Sequence, residues 1–263
     1  MKLLTYNILG GYHLDKIRNH LDFKNYSFIC LQEYPFKHNN TRELNKQFDF
    51  IKTEFLPLPS DDNMLGSIIF FDKKYKIHHT EILSIKSPKL SLIEKLMKYL
   101  ILGRIPEYRM NQLIAKFNVN GHPLTIINVH LFWESDMTFY ISQLNKLLDR
   151  LCHITGSVIL VGDFNTYRND KRKSLRELMK KHNFKEVIKP SKYTLDFFSK
   201  YDFPSNRVIK LRGLLGELPI PQIFRFYEYD YVFYKNLYAP PKISMPYSEG
   251  SDHFPIEIEF ELP

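Results

Sequence analysis

The 263-residue chain carries 37 Lys and Arg against 29 Asp and Glu, a formal net charge of +8, with 44% hydrophobic and 25% charged residues. Those values exclude a disordered, collagen-like or disulfide-built protein and suit one large soluble core. The basic excess favours polyanionic partners such as nucleic acid or anionic lipid head groups, a statement about binding and not about fold.

No linker, repeat or low-complexity tract divides the sequence, so residues 1–263 are expected to form a single domain, and a monomer. Met1-Lys2-Leu3-Leu4-Thr5-Tyr6-Asn7 enters strand-like sequence at once, with no room for a charged leader and signal core, and no stretch has the length to cross a bilayer. A cytoplasmic protein is the expectation. Cys30 and Cys152 lie in apolar segments and are expected to be buried free thiols.

In chain order, Leu3 to Ile8 and Ser27 to Leu31 are short apolar runs separated by Leu14, Ile17 and Leu21 at helical spacing, which reads as strand, helix, strand. Asn40 followed by Glu43 resembles a capping box and predicts a short helix through Phe48. Ser67 to Phe71 and Tyr75 to Leu83 read as paired strands turning at Asp72-Lys73-Lys74. Ser91 with Glu94 is a second capping box, followed by Ile93, Leu96, Met97, Leu100 and Ile101 on one helical face and a stop at Gly103. That helix either packs on the domain or acts as a lid or membrane-surface contact, with Lys95, Lys98 and Arg104 at its margin.

Leu113 to Val119 and Leu124 to His130 flank Asn120-Gly121, a hairpin signal that demands antiparallel neighbours. A helix from Met137 to His153, a strand from Ser157 to Val161 and a helix from Ser174 to His182 follow. Tyr229 to Tyr234 and Ile256 to Leu262 complete the strands, the last alternating Ile256, Ile258, Phe260 and Leu262 with Glu257, Glu259 and Glu261. This mixture predicts an α/β (α+β) chain with two mainly antiparallel sheets packed face to face and helices outside. Between Lys189 and Arg225, bases such as Lys192, Lys200 and Arg212 interleave with Tyr193, Phe197, Phe198 and Phe203. That pattern suits a groove for single-stranded nucleic acid and equally a loop with a small satellite core.

Polar groups placed just after apolar runs supply the candidate chemistry. Hydrolysis of a phosphate ester needs charge neutralised on the non-bridging oxygens, a water held in line and the departing oxygen stabilised. Glu33, directly after a buried strand, is the best-placed ligand for a hard cation such as Mg²⁺, with Mn²⁺ acceptable to the same oxygens. Asn7 can orient that ligand or a phosphate, and Asp252 can complete the metal shell or position its neighbour. In Gly162-Asp163-Phe164-Asn165, Asp163 is the candidate to hold and deprotonate water, and Asn165 to donate to phosphate. His253 suits proton transfer, His130 ends a strand, and Asp230 would orient His253 and favour its imidazolium by accepting a hydrogen bond from the ring. Arg109 is a further candidate to face a phosphate.

Thr5-Tyr6-Asn7, Leu31-Gln32-Glu33, Asn128-Val129-His130-Leu131, Gly162-Asp163-Phe164-Asn165, Asp230 and Ser251-Asp252-His253 resemble, in order and across nearly the whole chain, the motifs of the endonuclease/exonuclease/phosphatase superfamily. The resemblance implies a four-layer α/β/β/α sandwich, a Mg²⁺ site on Glu33 with Asn7 close by, and hydrolysis without a covalent enzyme intermediate. It makes His130, Asp230 and His253 the groups that handle phosphate and protons. The Asn-Ile-Leu at Asn7 lacks the acidic residue two positions on that abasic-site endonucleases and tyrosyl-DNA phosphodiesterases usually carry, and His130 stands where abasic-site enzymes place a tyrosine. A histidine there is shared by secreted deoxyribonucleases, deadenylases, sphingomyelinases and inositol phosphatases. The implied activity is a phosphodiesterase or nuclease, with lipid or inositol phosphate hydrolysis at a membrane surface as the alternative.

Overall fold

The computed structural model describes residues 1–11, 13–36, 44–57, 64–87, 109–132, 136–191, 193–196 and 226–263. Its helices are α1 (Leu14–His20), the single-turn α2 (Leu44–Gln47), α3 (Met137–Leu151) and α4 (Asn169–Lys181). One sheet consists of β1 (Lys2–Asn7), β2 (Phe28–Pro35), β3 (Phe48–Pro57), β4 (Met64–Asp72), β13 (Lys242–Ser244) and β14 (Ile256–Glu259), in the order β13-β14-β1-β2-β4-β3. The other consists of β5 (Lys76–Lys86), β6 (Arg109–Val119), β7 (His122–His130), β8 (Ser157–Asp163), β9 (Lys185–Glu186) and β12 (Asp230–Lys235), in the order β5-β6-β7-β8-β12-β9. The two-residue strands β10 (Leu195–Asp196) and β11 (Phe226–Tyr227) pair with each other.

Each sheet has one parallel pair among antiparallel neighbours: β1 with β2, joined through α1, and β7 with β8, joined through α3. Parallel strands need such a crossover, whereas the Asn120-Gly121 turn between β6 and β7 needs two residues. The sheets meet over Leu3, Phe28, Cys30 and Ile69 on one side and Leu113, Phe117, Ile126, Ile159, Val161 and Val232 on the other. The outer face of the first sheet buries Leu4, Tyr6, Ile29, Ile68 and Phe70 under Leu14 and Ile17 of α1. The outer face of the second lies under α3 and α4, where Tyr140, Leu144, Leu147 and Leu148 meet Val158 and Leu160, with Leu175 and Met179 alongside. Helix, sheet, sheet, helix is the four-layer α/β/β/α order.

A polar layer interrupts this apolar interface. Gln32 donates from Nε2 to Asn128 Oδ1 at 2.6 Å and to Thr5 Oγ1 at 3.2 Å. Asn128 in turn donates to the carbonyls of Leu31 and Ile68, both at 3.0 Å, tying β7 to β2 and β4 of the facing sheet.

Several expectations are corrected. Ser67–Phe71 and Tyr75–Leu83 are not a hairpin: β4 pairs with β2 and β3, while β5 leaves for the other sheet and pairs with β6. The turn at residues 72–74 is therefore a passage between sheets, and β3, Phe48–Pro57, which also neighbours β4, starts at the residue expected to end a helix and has no counterpart among the expected strands. That helix is only the turn Leu44–Gln47 in its described part; Asn40 and Glu43 lie outside the described residues. Helix α4 begins at Asn169, five residues before Ser174. Cys30 is buried, but Cys152, the C-cap of α3 just past the buried Leu151, is exposed. The alternation over 256–262 holds, with regular pairing ending at Glu259; Glu257 is not solvated, since it accepts from Tyr26 Oη and Ser244 Oγ and pairs with Lys2 at 3.1 Å. The helix expected over 91–103 lies outside the described residues, as does most of 189–225. No helix among the described residues is long and apolar enough to cross a membrane.

Candidate functional site

Parallel strands that share a crossover also share a direction, and the carboxyl ends of β1, β2, β7 and β8 open on one rim of the sandwich. Asn7 ends β1, Glu33 lies near the end of β2, His130 ends β7 and Asp163 ends β8. Asp230 starts the antiparallel β12 directly opposite Asp163, and His253 sits just before the antiparallel β14. Residues up to 246 positions apart in sequence therefore reach one rim because the chain alternates direction around two parallel pairs.

Asp163 Oδ2 is the hub. Asn7 Nδ2 donates to it at 3.1 Å, while the Nε2 atoms of His130 and His253 lie 3.7 and 3.8 Å away. The same Asn7 amide donates to Glu33 Oε1 at 3.2 Å, and His130 Nε2 is 4.0 Å from that oxygen. Asn7 is itself fixed from behind, its Oδ1 accepting from the Leu9 N–H at 3.1 Å. The other oxygen of Asp163 accepts the Asn165 backbone N–H at 2.8 Å, and Asn165 Nδ2 donates to the Leu131 carbonyl at 2.8 Å. Asp230 Oδ2 meets His253 Nδ1 at 2.8 Å, the pairing read from the sequence.

The backbone is bent where these side chains are presented. The β2–β4 ladder breaks between Leu31 and Tyr34, and Glu33 adopts φ 56°, a left-handed conformation that costs a non-glycine residue on the order of 1 kcal/mol or more. Asn165 has φ 51°, which asparagine tolerates better than most residues. Gly162 is required by close approach: a Cβ there would stand 2.1 Å from the Val129 carbonyl oxygen across the β7–β8 seam.

Burial and charge set the protonation states. Burial pushes the Asp163 carboxyl up to about 8, with Asp230 adding to the rise and the His253 imidazolium opposing it. Burial by itself would lower His253, but the charge and hydrogen bond of Asp230 hold the ring at about 10, with Asp163 and Asp252 adding to the rise. His130, buried and facing the His253 charge, is pushed down to about 3 and is neutral at neutral pH. One imidazolium beside one neutral imidazole gives the rim both a proton donor and an uncharged ring.

Asp252 is buried beside His253, and its backbone carbonyl accepts from Asp196 N–H at 2.7 Å. Arg109 is exposed at the first residue of β6. The sequence assigns no role to two further contributors, Ser251 of the Ser251-Asp252-His253 motif and Thr194. Ser251 Oγ donates to the Asn7 carbonyl at 2.7 Å and accepts from His253 N–H at 3.2 Å, tying the two ends of the chain together. Thr194, fully buried, accepts from the N–H groups of Tyr229 and Asp230 at 2.8 and 2.9 Å, from a segment that offered only a basic and aromatic composition to read.

The donor set fits a hard divalent cation. Ligand atoms of Asp163, Asp230 and His253 lie within 4.8 Å of one another, yet the Asp230–His253 bond occupies two of the three groups. Glu33 Oε1 and Asp163 Oδ2, two carboxylate oxygens gathered by one amide, offer the harder donors that Mg²⁺ or Mn²⁺ takes.

The α/β/β/α sandwich gathers carboxylates and histidines at the carboxyl ends of its central strands, a donor set suited to phosphoester chemistry. The model of the endonuclease/exonuclease/phosphatase family matches residues 4–253, and the chain belongs to that family. A UPF0294 protein of Vibrio cholerae serotype O1 is 29% identical over 161 residues, covering 60% of this chain and 47% of the relative. The chain thus spans about half the length of the curated relatives it matches. Among solved structures, D. rerio TDP2 complexed with single strand DNA product aligns with TM-score 0.61 at 16% identity over 99% of this chain and 98% of that one. The mannosyl-6-phosphatase Bt3783 of Bacteroides thetaiotaomicron aligns with TM-score 0.63 at 14% identity over 99% of each. At such identities the likeness concerns the fold.

Proposed function

We propose that the chain is a divalent-metal-dependent phosphodiesterase, with nucleic acid as the favoured substrate, that hydrolyses the ester by direct attack of water on phosphorus. The observation that carries this reading is the convergence on Asp163 Oδ2 of Asn7 at 3.1 Å, His130 at 3.7 Å and His253 at 3.8 Å. An acid so placed can hold a water and accept its proton, while two rings stand where non-bridging oxygens would gain charge.

Glu33 is the metal ligand in this scheme, Asn7 aligns it with Asp163, and Asp252 supports the shell from beside His253. A bound cation would supply charge neutralisation at the phosphate and help hold Asp163 ionised. His253, kept protonated by Asp230, donates to phosphate or to the departing oxygen, and neutral His130 donates its ring N–H to a non-bridging oxygen. Asn165 keeps a second amide hydrogen for the phosphate beyond the one given to Leu131. Arg109, at the exposed start of β6, is the outer phosphate contact. The net charge of +8 and the single-strand DNA product in the TDP2 structure favour nucleic acid.

The test is a panel of single- and double-stranded DNA and RNA, sphingomyelin, phosphoinositides and sugar phosphate monoesters, each with Mg²⁺, Mn²⁺ or chelator. Turnover of a nucleic acid, abolished by chelator and reduced at least about a hundredfold by Asp163→Asn, is the expected result. Turnover of a lipid or a monoester alone would move the substrate, and activity unaffected by chelator would overturn the metal.

A further inference from the structure

His130 is held by a strand on one side and by a side chain on the other. Toward β8 it keeps the parallel register, opposite Asp163. Toward β6 the ladder stops two residues earlier, at Leu113 opposite Asn128. There the Gln112 side chain takes over: His130 N–H donates to Gln112 Oε1 at 2.6 Å, and Gln112 Nε2 donates to the His130 carbonyl at 2.8 Å. A primary amide carries the same donor and acceptor as a peptide unit, so it substitutes for the missing rung of the sheet.

Leu131 and Phe132, the two described residues that follow, bond elsewhere. Leu131 N–H donates to the Asp163 carbonyl at 2.9 Å, and Phe132 N–H to Gln143 Oε1 at 3.1 Å. On the β6 side, then, the Gln112 amide bonds both backbone groups of His130, in a setting where Leu65, Ile85, Met110 and Phe132 form a small apolar cluster. Gln112 is completely buried between Met110 and the apolar run Leu113-Ile114-Ala115. A buried amide is tolerated there only because both its groups are bonded, and leucine would be the simpler choice for cohesion alone.

We infer that Gln112 is a positioning residue for the reaction: in place of a strand ladder, its side-chain amide sets the height and tilt of the His130 ring against Glu33 and Asp163. The inference rests on the reading that His130 touches the phosphate. Gln112 itself touches neither substrate nor metal. Sub-ångström changes in its grip move a ring that has to lie within hydrogen-bond reach of a phosphate oxygen.

The experiment compares wild type, Gln112→Leu and Gln112→Glu on bis(p-nitrophenyl) phosphate with Mg²⁺ from acid to alkaline pH, with thermal melts of the same samples. Gln112→Leu removes both bonds, and kcat is expected to fall on the order of 10- to 100-fold with KM changed less than about twofold. Gln112→Glu is isosteric and conditional. Protonated, its carboxyl accepts from His130 N–H and donates to His130 O, as the amide does; ionised, it loses the donor. The ratio of its activity to wild type is therefore expected to drop as pH rises through the introduced acid's pKa, which burial raises. A purely structural role predicts a pH-independent ratio that tracks the melting temperature. A Gln112→Leu protein with wild-type kcat, a loss confined to KM, or a flat Gln112→Glu ratio each overturns the inference. The His130 ring proton resonances are followed in parallel, and unchanged positions in both variants refute it whatever the kinetics. If wild type cleaves no ester in the panel, the functional reading fails, while those resonances still judge Gln112.

Discussion

Replacing Gly162 with alanine strikes the seam between β7 and β8. Gly162 lies opposite Val129 with φ 130°, and an added Cβ would stand 2.1 Å from the Val129 carbonyl oxygen, where real Cβ atoms do not come within 3.0 Å. The obstructing atom is backbone, so no rotamer change relieves the clash, and the strands have to part by about 0.9 Å. The strained φ costs an L-residue roughly 1–3 kcal/mol, and the overpacking about another 1–3. A total of about 2–6 kcal/mol is a large share of the roughly 5–15 kcal/mol that holds a domain together. The displacement falls on the residue preceding His130 and the residue preceding Asp163, and a misplacement near 1 Å costs about a hundredfold in rate. Urea unfolding gives the stability term, and turnover of a phosphodiester at temperatures where the variant stays folded gives the catalytic one. An alanine variant within about 0.5 kcal/mol of wild type and equally active would refute the claim that this seam fixes the site.

Asp230→Asn removes the largest of the charges that hold His253 near 10, so the ring's pKa, followed by NMR titration, is expected to fall; an unchanged value would show that Asp230 does not set it. Stability without added cation is expected to decline with rising pH. His253 binds its proton more tightly folded than unfolded, so its contribution is complete below about 6.5 and lost by about 10; Asp163, raised from 3.8 to about 8, has the same sign and is spent by about 8. Urea titrations of His253→Gln should therefore be flatter than wild type between about pH 8 and 10, and parallel slopes would contradict the shift. Glu33→Gln is expected to abolish the rise in melting temperature that Mg²⁺ or Mn²⁺ gives wild type, and an equal rise in both would place the cation elsewhere.

The sequence made the site legible and left part of the scaffold obscure, for physical reasons. Asn7, Glu33, His130 and Asp163 follow short apolar runs buried on both faces, which places them at or near strand ends without knowledge of the partners, whereas His253 follows polar residues ahead of a strand and is legible only through Ser251-Asp252-His253. Strand partners were harder to read. The three residues after β4 look like a hairpin turn, yet β4 and β5 belong to different sheets, and only packing of the two faces decides that. Phe48–Pro57 mixes Asp49, Lys52 and Glu54 with Phe48, Phe50 and Ile51, so charges fall on both faces of this edge strand and mask the alternation. Gln112 and Thr194 were invisible because each acts on a backbone group brought near by folding, and no spacing in the sequence encodes that.

The amides joining Gln32 and Asn128 bear on more than hydrogen-bond satisfaction. Two greasy sheet faces can slide over one another at little cost, since dispersion and hydration barely distinguish neighbouring settings. A donor and acceptor pinned to the opposing sheet act as a dowel, because any slip breaks three buried hydrogen bonds between the sheets. Asn7 and Glu33 hang from one plate and His130 and Asp163 from the other, so the dowel keeps the two halves of the candidate site in step.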